Sequence, residues 1–358
     1  MNNWIFEPIK KLNSSAEQSA IARQQQLTKP LGSLGKLEEI AISLAAMQGE
    51  IPCVDKPYIC IFAADHGIAA SGVSAFPQEV TAQMVANFAN GGAAISVLAK
   101  TLSAPFDIVN LGTVTPTDFP GVINESIGAG TANMLDTQAM TSEQCAKALE
   151  VGRNSLLKAQ ALGCQLFIGG DMGIGNTTAA TALAAAISGE SVAHLTGPGT
   201  GLDESGIRRK VMAIEQVLAK HFNTSSNASP NTGNNPEQLL QKMGGFEIAA
   251  LVGSYISAAQ CGITVLVDGF ICSAAAMVAV AIAPQSRNWM IFSHGSAEPG
   301  HKLMLAHLKA TPILDLGMRL GEGSGAALCV PLLQMACKLH AQMATFEEAA
   351  VAGKLDEQ

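Results

Sequence analysis

Residues 311–330 read TPILDLGMRLGEGSGAALCV. The apolar run at 313–316 predicts a buried strand, the glycines after it a tight loop, and the pattern from about Ser324 a helix. One carboxylate, Glu322, stands between Gly321 and Gly323. Glycine on both sides removes side-chain bulk and admits positive φ, so a ligand can approach that acid closely. A carboxylate where a strand ends and a helix begins is suited to proton transfer. A solvated loop acid, or one favoured by the positive end of the helix dipole, is the plainer reading of the same residue. The neighbouring motifs decide between the two.

The rhythm of this stretch recurs from residue 57 onward. Short β-rich runs at 58–63, 106–111, 164–168, 263–267, 289–292 and 313–316 end in ADHG, NLGT, GGDMGIGN, DGF, SHGS and LGEGSG, and a helical pattern follows each. Apolar strands alternating with helices predict an α/β fold, a parallel sheet with helices on both faces. Ligands of such sheets bind beyond the carboxyl ends of the strands, where these glycines and polar groups fall. Upstream, 15–26 reads as a helix, TKPLGSLG at 28–35 as a turn, and 36–47 as an amphipathic helix with Leu37, Ile40, Ala41 and Leu44 on one side. The segment 221–236 (HFNTSSNASPNTGNNP) has almost no apolar content and reads as a flexible surface loop.

Composition narrows the function classes. The chain has 358 residues, of which 48% are hydrophobic and only 14% charged, which suits a large core and a buried subunit interface. A net charge of −8 without a basic stripe argues against nucleic acid as a partner. The opening MNNWIFEPIKKLNSS lacks the apolar core of a signal peptide. The eight cysteines are scattered with no C-x-x-C pair, so reduced buried thiols in a cytoplasmic protein are expected rather than a metal or disulfide framework. The apolar region 248–283 is broken by Gly253, Gly262, Asp268 and Gly269. A membrane span needs about 20 unbroken apolar residues, so helix, strand and helix are expected there.

Five motifs carry candidate chemistry, each with a plainer alternative. Asp65-His66-Gly67 is a candidate acid–base or orienting dyad, or simply a turn with Asp65 as cap. In AFPQEVTAQMVANF (75–88), Val80, Met84 and Phe88 share a helix face that could hold a flat aromatic ligand or pack in the core. GGDMGIGNTT (169–178) is a glycine loop running into a helix, able to offer backbone N–H groups to an anion or to form a tight packing turn. It is no P-loop, since no Gly-Lys-Ser/Thr follows, and Thr178 replaces the third glycine of a dinucleotide fingerprint. In GPGTGLDESGIRRK (197–210), Asp203 or Ser205 can cap a helix in which Lys210 lies about two turns in, either neutralising a phosphate or solvated. SHGS (293–296) offers hydroxyls after a strand, without the G-x-S-x-G elbow of a serine nucleophile.

As a set and in order, KPLGSLGKLE, DHG, PQEVTAQM, GDMGIGNTT, GTGLDESGIRRK, GGFEIAALVG, VDGF, SHGSAEPGH and LGMRLGEGSGA resemble the nicotinate-nucleotide–dimethylbenzimidazole phosphoribosyltransferase family over nearly the whole chain. The resemblance implies a Rossmann-like parallel sheet (51–330) and a smaller helical domain from the termini (1–50 with roughly 330–358). It also implies a homodimer and no cofactor or metal. The substrates would be nicotinate mononucleotide and a benzimidazole-type base. Glu322 matches the catalytic base. Asp171, Gly173, Gly175, Asn176, Gly199, Gly201, Lys210 and Ser293 match the phosphate and donor region, and Phe76, Met84 and Leu320 the region of the base. Asp171 stands where the best-known members carry Glu, one methylene longer. Phe76 and Met84 fall near positions where some members place Ser and Gln.

The residue inventory suits that chemistry independently. The donor's nicotinate nitrogen is cationic while bonded to ribose and leaves neutral, so no acid is needed for it. The acceptor must lose its N–H proton as its other ring nitrogen attacks C1′, which one carboxylate can accept. No pyrophosphate departs, so no metal clamp is required. A single displacement inverts the anomeric centre. The Gly169 loop and Glu322 are expected to follow strands of one parallel sheet, on the order of 10 Å apart, because reacting groups must be held near contact. The acceptor pocket is expected to be walled by Val80, Met84, Phe88 and Leu320. Two other readings stay open: a different sugar-phosphate-binding oxidoreductase or isomerase, and a non-catalytic paralogue.

Overall fold

In the computed structural model, which describes residues 3–221 and 235–352, strand β1 (Pro57–Ala64) is buried along its whole length. Its side chains divide by parity. Tyr58, Cys60, Phe62 and Ala64 enter one core; Ile59, Ile61 and Ala63 enter another. Successive side chains of a strand point to opposite faces, so a strand that is apolar at every position must lie between two layers.

The remaining strands are β2 (Phe106–Gly112), β3 (Val122–Asn124), β4 (Leu166–Met172), β5 (Thr264–Val267), β6 (Met290–Phe292), β7 (His294–Gly295) and β8 (Leu314–Asp315). The helices are α1 (Ser14–Gln26), α2 (Lys36–Gln48), α3 (Glu79–Ala89), α4 (Ala94–Thr101), α5 (Ser142–Ala161), α6 (Asn176–Ser188), α7 (Val192–Leu195), α8 (Glu204–His221), α9 (Pro236–Met243), α10 (Phe246–Cys261), α11 (Phe270–Ile282), α12 (His301–His307) and α13 (Ser324–Gln342). Six strands form a parallel sheet in the order β3-β2-β1-β4-β5-β6. This is the doubly wound order, with its reversal between β1 and β4, where such folds bind ligands. One face is covered chiefly by α5, α6, α10 and α11, the other by α2, α3, α4 and α13.

Three expectations about strands are corrected. The run 313–316 is not a buried strand of the main sheet. Only Leu314–Asp315 pair, with β7 in a separate two-stranded ladder, and Leu316 is 59% exposed. Here the chain has already left the sheet: the amides of Ile313 and Leu314 bond to the Ser293 carbonyl, both at 2.9 Å, beyond the end of β6. Glu322 therefore does not follow a strand of the same sheet as the Gly169 loop. Secondly, β4 begins at Leu166 and runs through both glycines to Met172, because Gly169 and Gly170 still pair with Cys60 and Ile61. Thirdly, β3 has no counterpart among the expected strands; three residues beside β2 are too few to show a period.

The termini meet on one side of the molecule. The Arg23 guanidinium of α1 donates to the carbonyls of His340, Ala341 and Met343 at 2.6, 3.1 and 3.1 Å, satisfying the open end of α13. Ile40 and Leu44 of α2 share a core with Ile59, Ile61 and Leu333. The surface loop expected at 221–236 falls, over 222–234, outside the described residues. Among the described residues no helix is long and apolar enough to cross a membrane.

Candidate active site

A cavity of about 300 Å³ opens at the carboxyl ends of β4, β5 and β6. Its wall takes Asp171, Met172, Gly173, Ile174, Asn176 and Thr177 from the end of β4 and the start of α6. Gly269, Phe270 and Ile271 come from the turn into α11, and His294, Ser296 and Glu298 from the chain beyond β6. Phe76, Gly199, Thr200, Arg319, Leu320, Gly321 and Glu322 close it. The loops at 169–178 and 316–326, far apart in sequence, thus share one cavity.

Glu322 takes φ +63°, between glycines at +85° and +77°. A non-glycine residue in the left-handed region needs support from its surroundings. Asp268, at the end of β5, supplies it: its carboxylate accepts the Gly323 amide at 3.2 Å and the Ala326 amide at 2.8 Å. Asp268 thus caps α13 from a different strand. The Glu322 side chain is 5% exposed, and its Oε2 has no hydrogen-bond partner. Burial pushes its pKa up to about 7; the Ile95 amide opposes the rise and the Asp268 charge adds to it. A carboxyl group that titrates near neutrality is matched to taking a proton at that pH.

The glycine loop is held from both sides. The Ile174 amide donates to Thr81 Oγ1 at 3.1 Å, and Asn176 Nδ2 donates to Asp171 Oδ2 at 2.9 Å. Gly175, at φ +100°, turns the chain into α6, so the positive end of that helix faces the cavity through Asn176 and Thr177. Lys210 lies one layer behind. It is 1% exposed, and its Nζ donates to Thr177 Oγ1 at 2.7 Å. Burial pulls the Lys210 pKa down to about 8, against the attraction of Glu298.

Among the residues singled out from sequence, Glu322, Asp171, Gly173, Asn176, Gly199, Phe76 and Leu320 line the cavity. Gly175 does not; it packs on His66 and Ile68. Gly201 has nothing within 4 Å of where a Cβ would stand. Ser293 is fully buried against His294 Nδ1 at 3.0 Å, and it is His294 that reaches the cavity. Met84 is a correction: it packs, half-buried, against the core that contains Phe88, and neither it nor Val80 nor Phe88 belongs to the cavity wall. Helical spacing groups these residues on one face, but the residues α3 buries are Thr81, Ala82, Val85 and Phe88, and Val80 and Met84 are only half-buried. Asp65 and His66 do not form a dyad. Asp65 Oδ2 accepts the Val114 amide at 2.8 Å, while His66 Nε2 pairs with Glu247 Oε1 at 2.6 Å in full burial. His66 lies beneath the glycine loop: a Cβ on Gly173 would stand 3.3 Å from its ring. Asp268, Phe270, His294, Glu298 and Arg319 also serve the site, although sequence reasoning did not single them out. The VDGF and SHGSAEPGH motifs contain four of them, and an acid directly after an apolar strand was the available signal.

One group among the described residues, Asp171, Asp268 and Cys272, brings three potential metal-ligand atoms within 4.8 Å of one another. Its members already serve other groups. Cys272 donates to Asp171 Oδ1 at 3.6 Å, Asn176 holds the other Asp171 oxygen, and Asp268 is occupied by the α13 amides. Burial pushes the Asp171 carboxyl up to about 8 and the Cys272 thiol well above its usual range, with neighbouring acids adding to both. Metal ligands must be deprotonated; Asp171 and Cys272 favour their protonated forms, and with Asp268 turned to the α13 amides the group fits a buried hydrogen-bond network.

A family model described as phosphoribosyltransferase matches residues 9–351. The chain is 57% identical over 355 residues to the nicotinate-nucleotide–dimethylbenzimidazole phosphoribosyltransferase of Pseudomonas fluorescens (strain SBW25), covering 99% of each chain. It is 56% identical over 354 residues to the protein of the same name from Pseudomonas syringae pv. syringae (strain B728a), again covering 99% of each. The crystal structure of CobT from Thermus thermophilus matches with a TM-score of 0.89 at 42% identity, over 95% of this chain and 100% of that one.

Proposed function

We propose, from the premise that this chain belongs to the nicotinate-nucleotide–dimethylbenzimidazole phosphoribosyltransferase family, that the cavity at the sheet's carboxyl edge is its active site. The chain is a phosphoribosyltransferase of cobalamin biosynthesis. It moves the 5-phosphoribosyl group of nicotinate mononucleotide to 5,6-dimethylbenzimidazole or a related base, giving α-ribazole 5′-phosphate and nicotinate. The observation that carries the assignment to this cavity is Glu322, a buried carboxylate with one unpartnered oxygen in the same enclosure as the N-terminus of α6.

In this reading the donor phosphate lies at the N-terminus of α6, where the helix dipole and Lys210 behind Thr177 favour an anion. The flat acceptor lies against Phe76 and Leu320, apolar wall residues that are 50% and 57% exposed. Acceptor nitrogen bonds to C1′ as the bond from C1′ to the nicotinate nitrogen breaks. That electron pair neutralises the departing pyridine, and Glu322 takes the N–H proton of the acceptor. The negative charge of Glu322 also favours the azolium as it forms.

The finer assignments are part of the same proposal. A homodimer is supported by Val97 on α4 and Leu328 and Met335 on α13, apolar side chains at least 39% exposed on helices that pack together. A cytoplasmic location is supported by eight free cysteines. A small helical unit of α1, α2 and the end of α13 is supported by the Arg23 contacts. The test is nicotinate release from nicotinate mononucleotide with and without 5,6-dimethylbenzimidazole. Release that depends on the acceptor, with α-ribazole 5′-phosphate as co-product, is expected. No release, or release indifferent to the acceptor, would overturn the reading.

A further inference from the structure

Glu298 lines the cavity, yet the reaction as written gives it no task. The residue is 6% exposed, and neither carboxylate oxygen has a hydrogen-bond partner. A buried carboxylate left unsatisfied is costly, and native proteins seldom keep one without a use for it. Its position is nonetheless fixed. The Glu298 amide donates to Ser296 Oγ at 3.3 Å, and the Ser296 amide donates to His301 Nδ1 at 2.8 Å. Burial holds the His301 pKa down at about 4, so its ring is neutral and Nε2–H donates to Ser273 Oγ at 2.9 Å. The loop is therefore pinned while the carboxylate is left free to accept.

The opposite wall is built around that carboxylate. A Cβ on Gly197 would stand 2.0 Å from Glu298 Oε2, so only glycine lets the strap at 197–199 lie over it. Two residues along, a Cβ on Gly199 would stand 3.3 Å from Lys210 Nζ, and Arg319 Nη1 donates to the Gly199 carbonyl at 3.1 Å. Burial pushes the Glu298 pKa up; Lys210, Arg319 and the nearby Gly199 amide, whose contact falls short of a full hydrogen bond, offset only part of that rise.

A buried carboxylate with both oxygens open needs donors. The donor's phosphate and nicotinate carboxylate offer none at neutral pH, and the single N–H of the acceptor goes to Glu322. The vicinal diol of the ribose is the remaining group, and it presents a pair of O–H donors to a pair of oxygens. Gly197 lies against Glu298 and Gly199 against Lys210, and the two glycines are at most ~7 Å apart along the strap, so the carboxylate and the cation flank the same short segment of the wall. We propose that Glu298 receives the 2′- and 3′-hydroxyls of the donor ribose and makes the site require a ribo rather than a deoxyribo nucleotide. This rests on the phosphoribosyltransferase reading of the cavity.

The test compares kcat/KM for nicotinate mononucleotide and its 2′-deoxy and 3′-deoxy analogues, at saturating 5,6-dimethylbenzimidazole, in the full-length protein and in Glu298→Ala and Glu298→Gln. Loss of a hydrogen bond to a charged group predicts a roughly 10- to 100-fold penalty for each deoxy donor in the unsubstituted protein. Glu298→Ala should lose a similar factor with the natural donor, and its discrimination against the deoxy donors should fall below about 3-fold. Glu298→Gln keeps the volume and one acceptor oxygen, so its discrimination should be intermediate, which covers the case of an alanine variant that does not fold. Discrimination as strong in the folded variants as in the parent would overturn the assignment. A parent protein that makes no α-ribazole 5′-phosphate would instead overturn the function itself.

Discussion

A methyl group on Gly170 would stand 2.6 Å from the carbonyl carbon of Glu322 and 2.7 Å from its carbonyl oxygen. The middle of β4 and the acid loop are thus in backbone contact, although no strand of the main sheet leads into that loop. The position of the base is set by what β4 leaves out, a side chain, as much as by what the loop contains.

Gly170→Ala should therefore cost more activity than stability alone explains. The added carbon also meets Ile61 Cδ1 at 2.4 Å, and overpacking of this kind costs about 1–3 kcal/mol. Gly152→Ala, whose Cβ would meet the Ala250 carbonyl at 1.8 Å far from the cavity, supplies the control. Both variants should melt earlier, but only Gly170→Ala should lose turnover at saturating substrates. Parental turnover in a folded Gly170→Ala would show that the contact does not position Glu322.

The pH dependence of kcat/KM should have its acid limb near Glu322. Burial, reinforced by Asp268, raises that carboxyl to about 7, and a base works only when ionised, so activity should rise through pH 7 and level off. Asp268→Asn removes the repelling charge while keeping an oxygen for the α13 amides. Its acid limb should move to lower pH. An unmoved limb would mean that another group controls it.

Stability should respond in the opposite sense. The folded-state pKa of Glu322 lies above the ordinary value of 4.5, so the native state binds the extra proton between the two values. Stability is then lost as pH rises from about 4.5 through about 7, and the whole penalty is present above that range. Glu322→Gln carries no such penalty. Its melting temperature relative to the parent should be higher at pH 8 than at pH 5. Equal differences at both pH values would contradict the buried, raised carboxyl.

Lys210→Ala should raise the KM for nicotinate mononucleotide while sparing affinity for the base, because Lys210 reaches the cavity only through Thr177 and the Gly199 strap. Steady-state kinetics with each substrate varied in turn would separate the two. An equal loss of affinity for both would place the defect in folding rather than in phosphate binding.

Much of this is legible in the chain itself. The unbroken apolar run of β1 and the glycines after each strand imply a two-faced parallel sheet by local rules alone. Glu322 stands out because glycine flanks it. Asp268 and Glu298 do not, since their roles arise where separate loops converge, and a single strand end or loop says nothing of what packs opposite. Met84 illustrates the converse. Its spacing with Val80 and Phe88 defines a shared helix face, but the packing of α3 buries Thr81, Ala82, Val85 and Phe88, so of that face only Phe88 is core. The run at 313–316 looks like a strand because apolar residues flank Asp315; nothing in its own residues shows that β6 ends the sheet just before it.

The most direct test of the central claim is the rate of α-ribazole 5′-phosphate formation by Glu322→Gln, with nicotinate mononucleotide and 5,6-dimethylbenzimidazole both saturating. The substitution keeps the shape of the side chain and removes its basicity. Turnover should fall about 10²- to 10⁴-fold, the usual worth of a positioned general base, in a protein that folds as well as its parent. Near-parental turnover in that folded variant would contradict the account.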